Sequence, residues 1–269
     1  MRELYYFKHN GDPEIVAALA GISKVDWRSV PAGTKTQEAV TIMRQYAFDV
    51  LPIIESNGII GRCFTTYRWG TYDIENILIS DVQKEHRLYF LSHIHDVILK
   101  FASTGRKYFF LDNYSQILGL ITIGNLNCKH VYLYFYNLII QLEQALGHYL
   151  SNYGVNQADL INLFDERKDS SNAQDAISRF REDNSKGLDY NFLEYIYLVD
   201  FAFIYKKYDL IKKLNLSNKQ FESIINHVNE VRKTVAHPNR SLIKSEDSIY
   251  HLEKVIIGID VLMEKLLTD

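Results

Sequence analysis

Arg232 and His237 are the two residues of this chain whose types and setting best suit chemistry. An imidazole can give or take a proton near neutral pH, and a guanidinium holds anionic oxygens through a rigid fork of N–H donors. On a helix turning about 100° per residue, Phe221, Ile225, Val228, Arg232 and Val235 fall within roughly 40° of one another. This reading puts Arg232 at the centre of an apolar stripe. A guanidinium there needs an ion-pair partner, a protein interface or a cleft. Pro238 turns the residue before it away from helical geometry, so the helix should end near His237. The free carbonyls of a helix C-terminus favour the imidazolium form, which suits a proton donor. Between residues 206 and 244 nine Lys and Arg stand against three acidic residues, in a chain whose net charge is −3. Such a segment attracts phosphates, although a solvated lysine face on a helix would look the same. Spacing alone does not single the pair out, because Arg87 with His93 and Arg2 with His9 are similarly placed.

The elements that must position these residues are helical. Residues 132–153 form one long candidate helix, with Phe135, Leu138, Ile139, Leu142, Leu146 and Leu150 at three- and four-residue spacing. Residues 165–187 are polar and read as a loop with a helical piece. Residues 191–208 read as a second long helix, rich in aromatics. Residues 218–236 form a third, with Ser217 as its cap. Residues 248–267 form a fourth, with Ile249, Leu252, Ile256, Ile259, Met263 and Leu266 on one face. The expectation is a four-helix bundle with an internal excursion.

The segment from Val231 to Pro238 resembles the signature of HEPN (higher eukaryotes and prokaryotes nucleotide-binding) domains: an Arg and a His separated by four to six residues at the end of the third main helix. Here four residues intervene. The resemblance covers roughly residues 131–267, including Glu143 in the long first helix. It implies an all-helical, homodimeric domain, often a metal-independent endoribonuclease, with both protomers' Arg and His in one cleft. The implied catalytic residues are Arg232 and His237. Lys233, Asn239 and Arg240 would bind substrate, with no metal and no cofactor needed. Many active members have Asn, Asp or His directly after the Arg. Lys233 stands there instead; it can hold a phosphate but cannot accept a hydrogen bond.

The N-terminal half reads differently. Residues 34–46 have helical spacing, residues 50–55 and 59–64 read as strands, and Asn57-Gly58 is a turn between them. The same order returns about 60 residues later: a helix over 93–103, a strand over 108–111, a polar turn, and a strand over 117–123. This repeat resembles a tandem pair of CBS (cystathionine-β-synthase-type) modules over roughly residues 23–127. The motifs that carry it are Leu51-Pro52-Ile53, Gly58-Ile59-Ile60-Gly61 and Leu118-Gly119-Leu120-Ile121-Thr122. Such pairs commonly bind adenine nucleotides between modules, through a Thr and an Asp three residues later. Thr122 matches, and Asn125 stands where the Asp is expected. In the first copy Phe64 and Tyr67 occupy the corresponding positions. A pair used only for dimerisation is the other implied role.

The expected architecture is α+β: a tandem CBS-like region over residues 1–128, then a HEPN-like helical bundle over 129–269. The implied function is an RNA-cleaving toxin or defence effector regulated by an adenine nucleotide. The alternative is a catalytically inactive HEPN dimer that binds RNA or a nucleotide, or serves as an adaptor. Thirteen Gly and four Pro are few breakers for 269 residues and argue against disorder. Cys63 and Cys128 form neither a disulfide framework nor a metal-ligand pair. The N-terminus lacks a secretory leader's pattern, and the longest apolar run, 131–140, is too short to span a bilayer. These features lead to the expectation of a cytoplasmic protein without a membrane partner. His93 and His95 lack a third ligand and read as surface residues. Asp112 and Asp200 read as turn or bundle polar residues.

Overall fold

The computed structural model describes residues 15–188, 190–237 and 239–268. The chain is α+β and divides into two compact units. One holds residues 15–134 and 239–253; the other holds 135–237 and 254–268. Among the described residues no helix is long and apolar enough to cross a membrane.

The first unit is built from two four-stranded sheets. Helix α1 (Ala17–Ala20) leads into β1 (Ile22–Ser23), followed by β2 (Val30–Pro31), α2 (Thr36–Tyr46), β3 (Val50–Ile54), β4 (Ile60–Thr66) and β5 (Ile77–Asp81). Gly58 takes φ +76°, which the tight Asn57-Gly58 turn requires. In this sheet β2 runs parallel to β3, and β3–β4 and β4–β5 are antiparallel. Ala39, Val40 and Met43 of α2 pack on Leu51, Ile53 and Phe64. The second sheet uses β6 (Arg87–Tyr89), β7 (Tyr108–Asp112) and β8 (Ile117–Thr122), with α3 (Ile94–Thr104) between β6 and β7. It repeats the plan: β6 is parallel to β7, and β8 is antiparallel to it. Both hairpins carry the same irregularity, at Ile53/Ile54 and at Leu111/Asp112.

The fourth strand of the second sheet is β1, from the N-terminal side of both copies, giving the order β1-β8-β7-β6. The exchange demands a glycine. A Cβ on Gly119 would lie 2.6 Å from the Ile22 carbonyl oxygen. Val50, Cys63, Tyr108, Phe110 and Leu120 form a core common to the two sheets.

The second unit is helical. It takes α4 (Lys129–Asn152) from residue 135, α5 (Gln157–Glu166), α6 (Ser171–Ser185), α7 (Asp200–Lys207), α8 (Leu210–Lys213), α9 (Asn218–Val235), and α10 (Ser248–Thr268) from residue 254. Two sequence expectations need correction. Residues 165–187 are mainly helix: Ser170 caps α6, and Ala173, Ala176, Ile177 and Phe180 give it a buried face that its polar majority concealed. Residues 191–208 are not one helix. Asn191 caps a 3-10 turn, Phe192–Tyr195, Ile196 is extended, and α7 begins only at Asp200. The aromatics there serve packing across helices: Phe192 meets both Phe164 and Phe180 edge-on, each at 5.3 Å. Asp200 is buried and pairs with Arg167 at 2.8 Å.

Candidate functional site

Helix α9 starts at a capping box. The Gln220 N–H donates to Ser217 Oγ, and the Ser217 N–H donates to Gln220 Oε1. Its buried side chains are Phe221, Ile225, Val228 and Val231. Val231, about 100° around the helix from Arg232, takes the buried position. The stripe read from the sequence is therefore displaced at its end. Arg232 lies at the margin of the apolar face rather than its centre, with its side chain 37% exposed.

The partner that a marginal guanidinium requires is Glu143 of α4. Arg232 Nε lies 3.0 Å from Glu143 Oε1. Burial pushes the Glu143 carboxyl up, and the charge and hydrogen bonding of Arg232 only partly offset this. The two residues line a cleft of about 450 Å³, together with Gln144, His148, Ser151 and Asn191. Glu143, Gly147 and Ser151 recur every four residues along α4, a small and polar line on an apolar helix that was a legible signal.

His237 is exposed, and its N–H donates to the Thr234 carbonyl at 3.1 Å as the chain leaves the helix. It is not among the residues lining that cleft. Lys233 is exposed. Pro238 lies outside the described residues. Asn239 and Arg240 are exposed and belong to the other unit, where the Arg240 carbonyl accepts the Tyr132 hydroxyl. Within one chain, then, Arg232 and His237 share a helix end but not a cavity.

The first unit holds a cleft of its own, also about 450 Å³. Its walls include Trp27, Arg28, Tyr46, Asp49, Trp69 and Thr122. The Arg28 guanidinium sits 3.7 Å over the Tyr46 ring. Asp49 accepts the Thr66 hydroxyl at 3.1 Å and the Gly70 N–H at 2.9 Å. Burial nevertheless pushes its carboxyl up, against those hydrogen bonds and the Lys107 charge. Thr122 and Asn125 both line this cleft, but they bond to each other. Asn125 Oδ1 accepts the Thr122 N–H at 2.7 Å and the Thr122 hydroxyl at 2.9 Å. Phe64 is core, and Tyr67 is 66% exposed. Asp49, Trp27 and Trp69 were not picked out from the sequence, because each sits in a loop or at a strand end without periodicity.

The other spacings resolve into structure. Arg87 lies 3.8 Å from Asp112. His93 caps α3 by accepting the His95 N–H, and His95 Nδ1 lies 3.0 Å from the Tyr134 hydroxyl. Both histidines are half-buried, not surface residues as expected, because both rings pack edge-on against Tyr134. Arg2 and His9 lie outside the described residues. Among the described residues no cluster of three or more His, Cys, Asp or Glu could hold a metal ion.

No family model and no curated protein matches the chain. Among solved structures, it is similar to an uncharacterized conserved protein from Pyrococcus horikoshii at 18% identity, over 43% of this chain and 91% of that one, with a TM-score of 0.35.

Proposed function

We propose that the chain is a metal-independent endoribonuclease of the HEPN type, acting as a homodimer in the cytoplasm and regulated by an adenine nucleotide bound to a CBS-like N-terminal pair. One observation carries the reading: a guanidinium held beside a cleft by a half-buried carboxylate, with an exposed imidazole one turn further along the same helix end. RNA brings its own nucleophile, the 2′-hydroxyl. His237 moves the proton, and Arg232 holds the charge that develops on the phosphorane oxygens. The 2′-oxygen–phosphorus bond forms and the bond to the 5′-oxygen breaks. The products are a 2′,3′-cyclic phosphate and a 5′-hydroxyl.

On an ideal helix Arg232 and His237 point about 140° apart. A working set therefore combines one protomer's guanidinium with the partner's imidazole across a two-fold axis. Lys233 supplies phosphate attraction, with Asn239 and Arg240 further along the substrate. Incubation of the purified dimer with RNA in the presence of a chelator tests this. Wild type should yield cyclic-phosphate ends, and His237→Ala should lower the rate by about 10²–10⁴-fold. Equal cleavage by both proteins would sink the proposal.

A specific observation favours the runner-up, a non-catalytic RNA- or nucleotide-binding HEPN dimer or adaptor. Glu143 already neutralises Arg232 and would compete with a phosphate for it. RNA binding without cyclic-phosphate products would select that reading. For the N-terminal pair, the repeated strand order and the aromatic cleft support a nucleotide site, with Thr122 and Asn125 at its rim. Calorimetry with AMP and ATP tests it; the heats should vanish in Asp49→Asn with Trp69→Ala.

A further inference from the structure

Both walls of the N-terminal cleft are tied to one short segment, residues 239–248, which begins two residues after His237 in the chain. On one wall the tie is Glu246. Its Oε1 accepts the Trp69 N–H at 2.7 Å and lies 2.8 Å from the Lys107 ammonium. Lys107, whose side chain is only 18% exposed, also donates to the Tyr67 carbonyl. A single carboxylate thus fixes the backbone of residues 67–69. The next N–H, of Gly70, is the one that Asp49 accepts. Trp69, Gly70 and Asp49 all line the cleft.

On the other wall the tie is Asn127. Its Nδ2 donates to the Ile243 carbonyl at 3.0 Å, and its Oδ1 accepts the Ile243 N–H at 2.9 Å. Asn127 ends the 3-10 turn Ile123–Asn127, which Thr122 caps and which carries Gly124 and Asn125 into the cleft. Leu242 and Ile243 are buried, so the segment is anchored by packing as well. A further bond joins the Tyr132 hydroxyl to the Arg240 carbonyl. Burial raises the Glu246 carboxyl, but the Lys107 ammonium and the Trp69 N–H outweigh it and hold it below the usual carboxylate range.

We infer that residues 239–248 are the output arm of the cleft: occupancy that shifts Trp69–Gly70 or the turn at Asn125–Asn127 changes the hold on Glu246 and Ile243, and so the freedom of the chain at His237. The inference rests on the reading of the cleft as a ligand site and of His237 as a reactive group. The coupling is reciprocal: loosening the segment must also loosen the cleft wall.

Amide hydrogen exchange on the purified protein tests this without a ligand. The set is wild type, Glu246→Gln, Asp49→Asn and the double variant, with Lys107→Met as a second perturbation of the same wall should Asp49→Asn fail to fold. Asp49→Asn should speed exchange in 67–72 and, through Glu246, at least about fivefold in 242–248. In the Glu246→Gln background the same change should speed 67–72 only. If Asp49→Asn leaves 242–248 unchanged in the wild-type background, the inference is overturned. RNA cleavage by the same proteins separates the two readings. Coupled exchange with no cleavage by wild type removes the ribonuclease reading and leaves the coupling standing. Cleavage that Glu246→Gln does not alter, in rate or in substrate dependence, overturns the output to His237.

Discussion

Glu143 and Arg232 line one cleft and are unequally buried. The need of Arg232 for a partner was legible from its place beside Phe221, Ile225 and Val228, but the identity of the partner was not, because it lies 89 positions earlier on another helix. The position of the stripe was also misjudged, since only packing decides whether Val231 or Arg232 turns inward. The raised Glu143 carboxyl has a definite sign. Its ionised form is disfavoured in the folded chain, even with Arg232 beside it. The resulting cost is absent at pH values below the ordinary carboxylate range and grows as pH rises through that range to the folded value. Thermal melts should therefore show Glu143→Gln gaining on wild type as pH rises through and above the ordinary carboxylate range. A constant difference would mean that the carboxylate is solvated. The same substitution frees Arg232 and should tighten RNA binding several-fold at low salt, measured by fluorescence anisotropy with labelled RNA.

Elements were legible where periodicity and caps agree. The bounds of helix α9 and its Ser217 cap follow the sequence reading to within a residue or so, as does the hairpin at Asn57-Gly58. Residues 191–208 misled because Phe192, Tyr195, Leu198, Phe201 and Ile204 keep a three-residue spacing while residues 196–199 lie outside any helix. Arg167 is stacked 4.1 Å from the Phe203 ring and paired with Asp200, whose side chain is 4% exposed. Arg167→Leu should cost about 3–5 kcal/mol in chemical denaturation, because it strands a buried carboxylate. Asp200→Asn in the same chain should recover part of that loss. Gly119→Ala drives a methyl against the Ile22 carbonyl, where both atoms are backbone or fixed to it. It should destabilise by about 1–3 kcal/mol and raise amide exchange in β1 before the other strands.

At the scale of the molecule, the repeat in the N-terminal half was legible as an order of elements, and the strand exchange was not. Nothing in the two-residue strand Ile22–Ser23 marks it as the edge partner of a sheet formed about a hundred residues later. The dimer proposed for the helical half makes its own prediction. Mixed Arg232→Ala and His237→Ala chains, each inactive alone, should form heterodimers with one intact composite set. About a quarter of wild-type RNA cleavage should return, from half the dimers carrying one site in two. No recovery after verified subunit exchange would place both groups in one protomer's site. The aromatic cleft has a further consequence. The chain contains two tryptophans, Trp27 and Trp69, and both stand in its walls, while the 19 tyrosines are spread along the chain. Red-edge excitation selects indole over phenol, so the protein's own emission is a reporter of that cavity alone. Its colour and quenching can follow filling and emptying in real time, in the unlabelled protein.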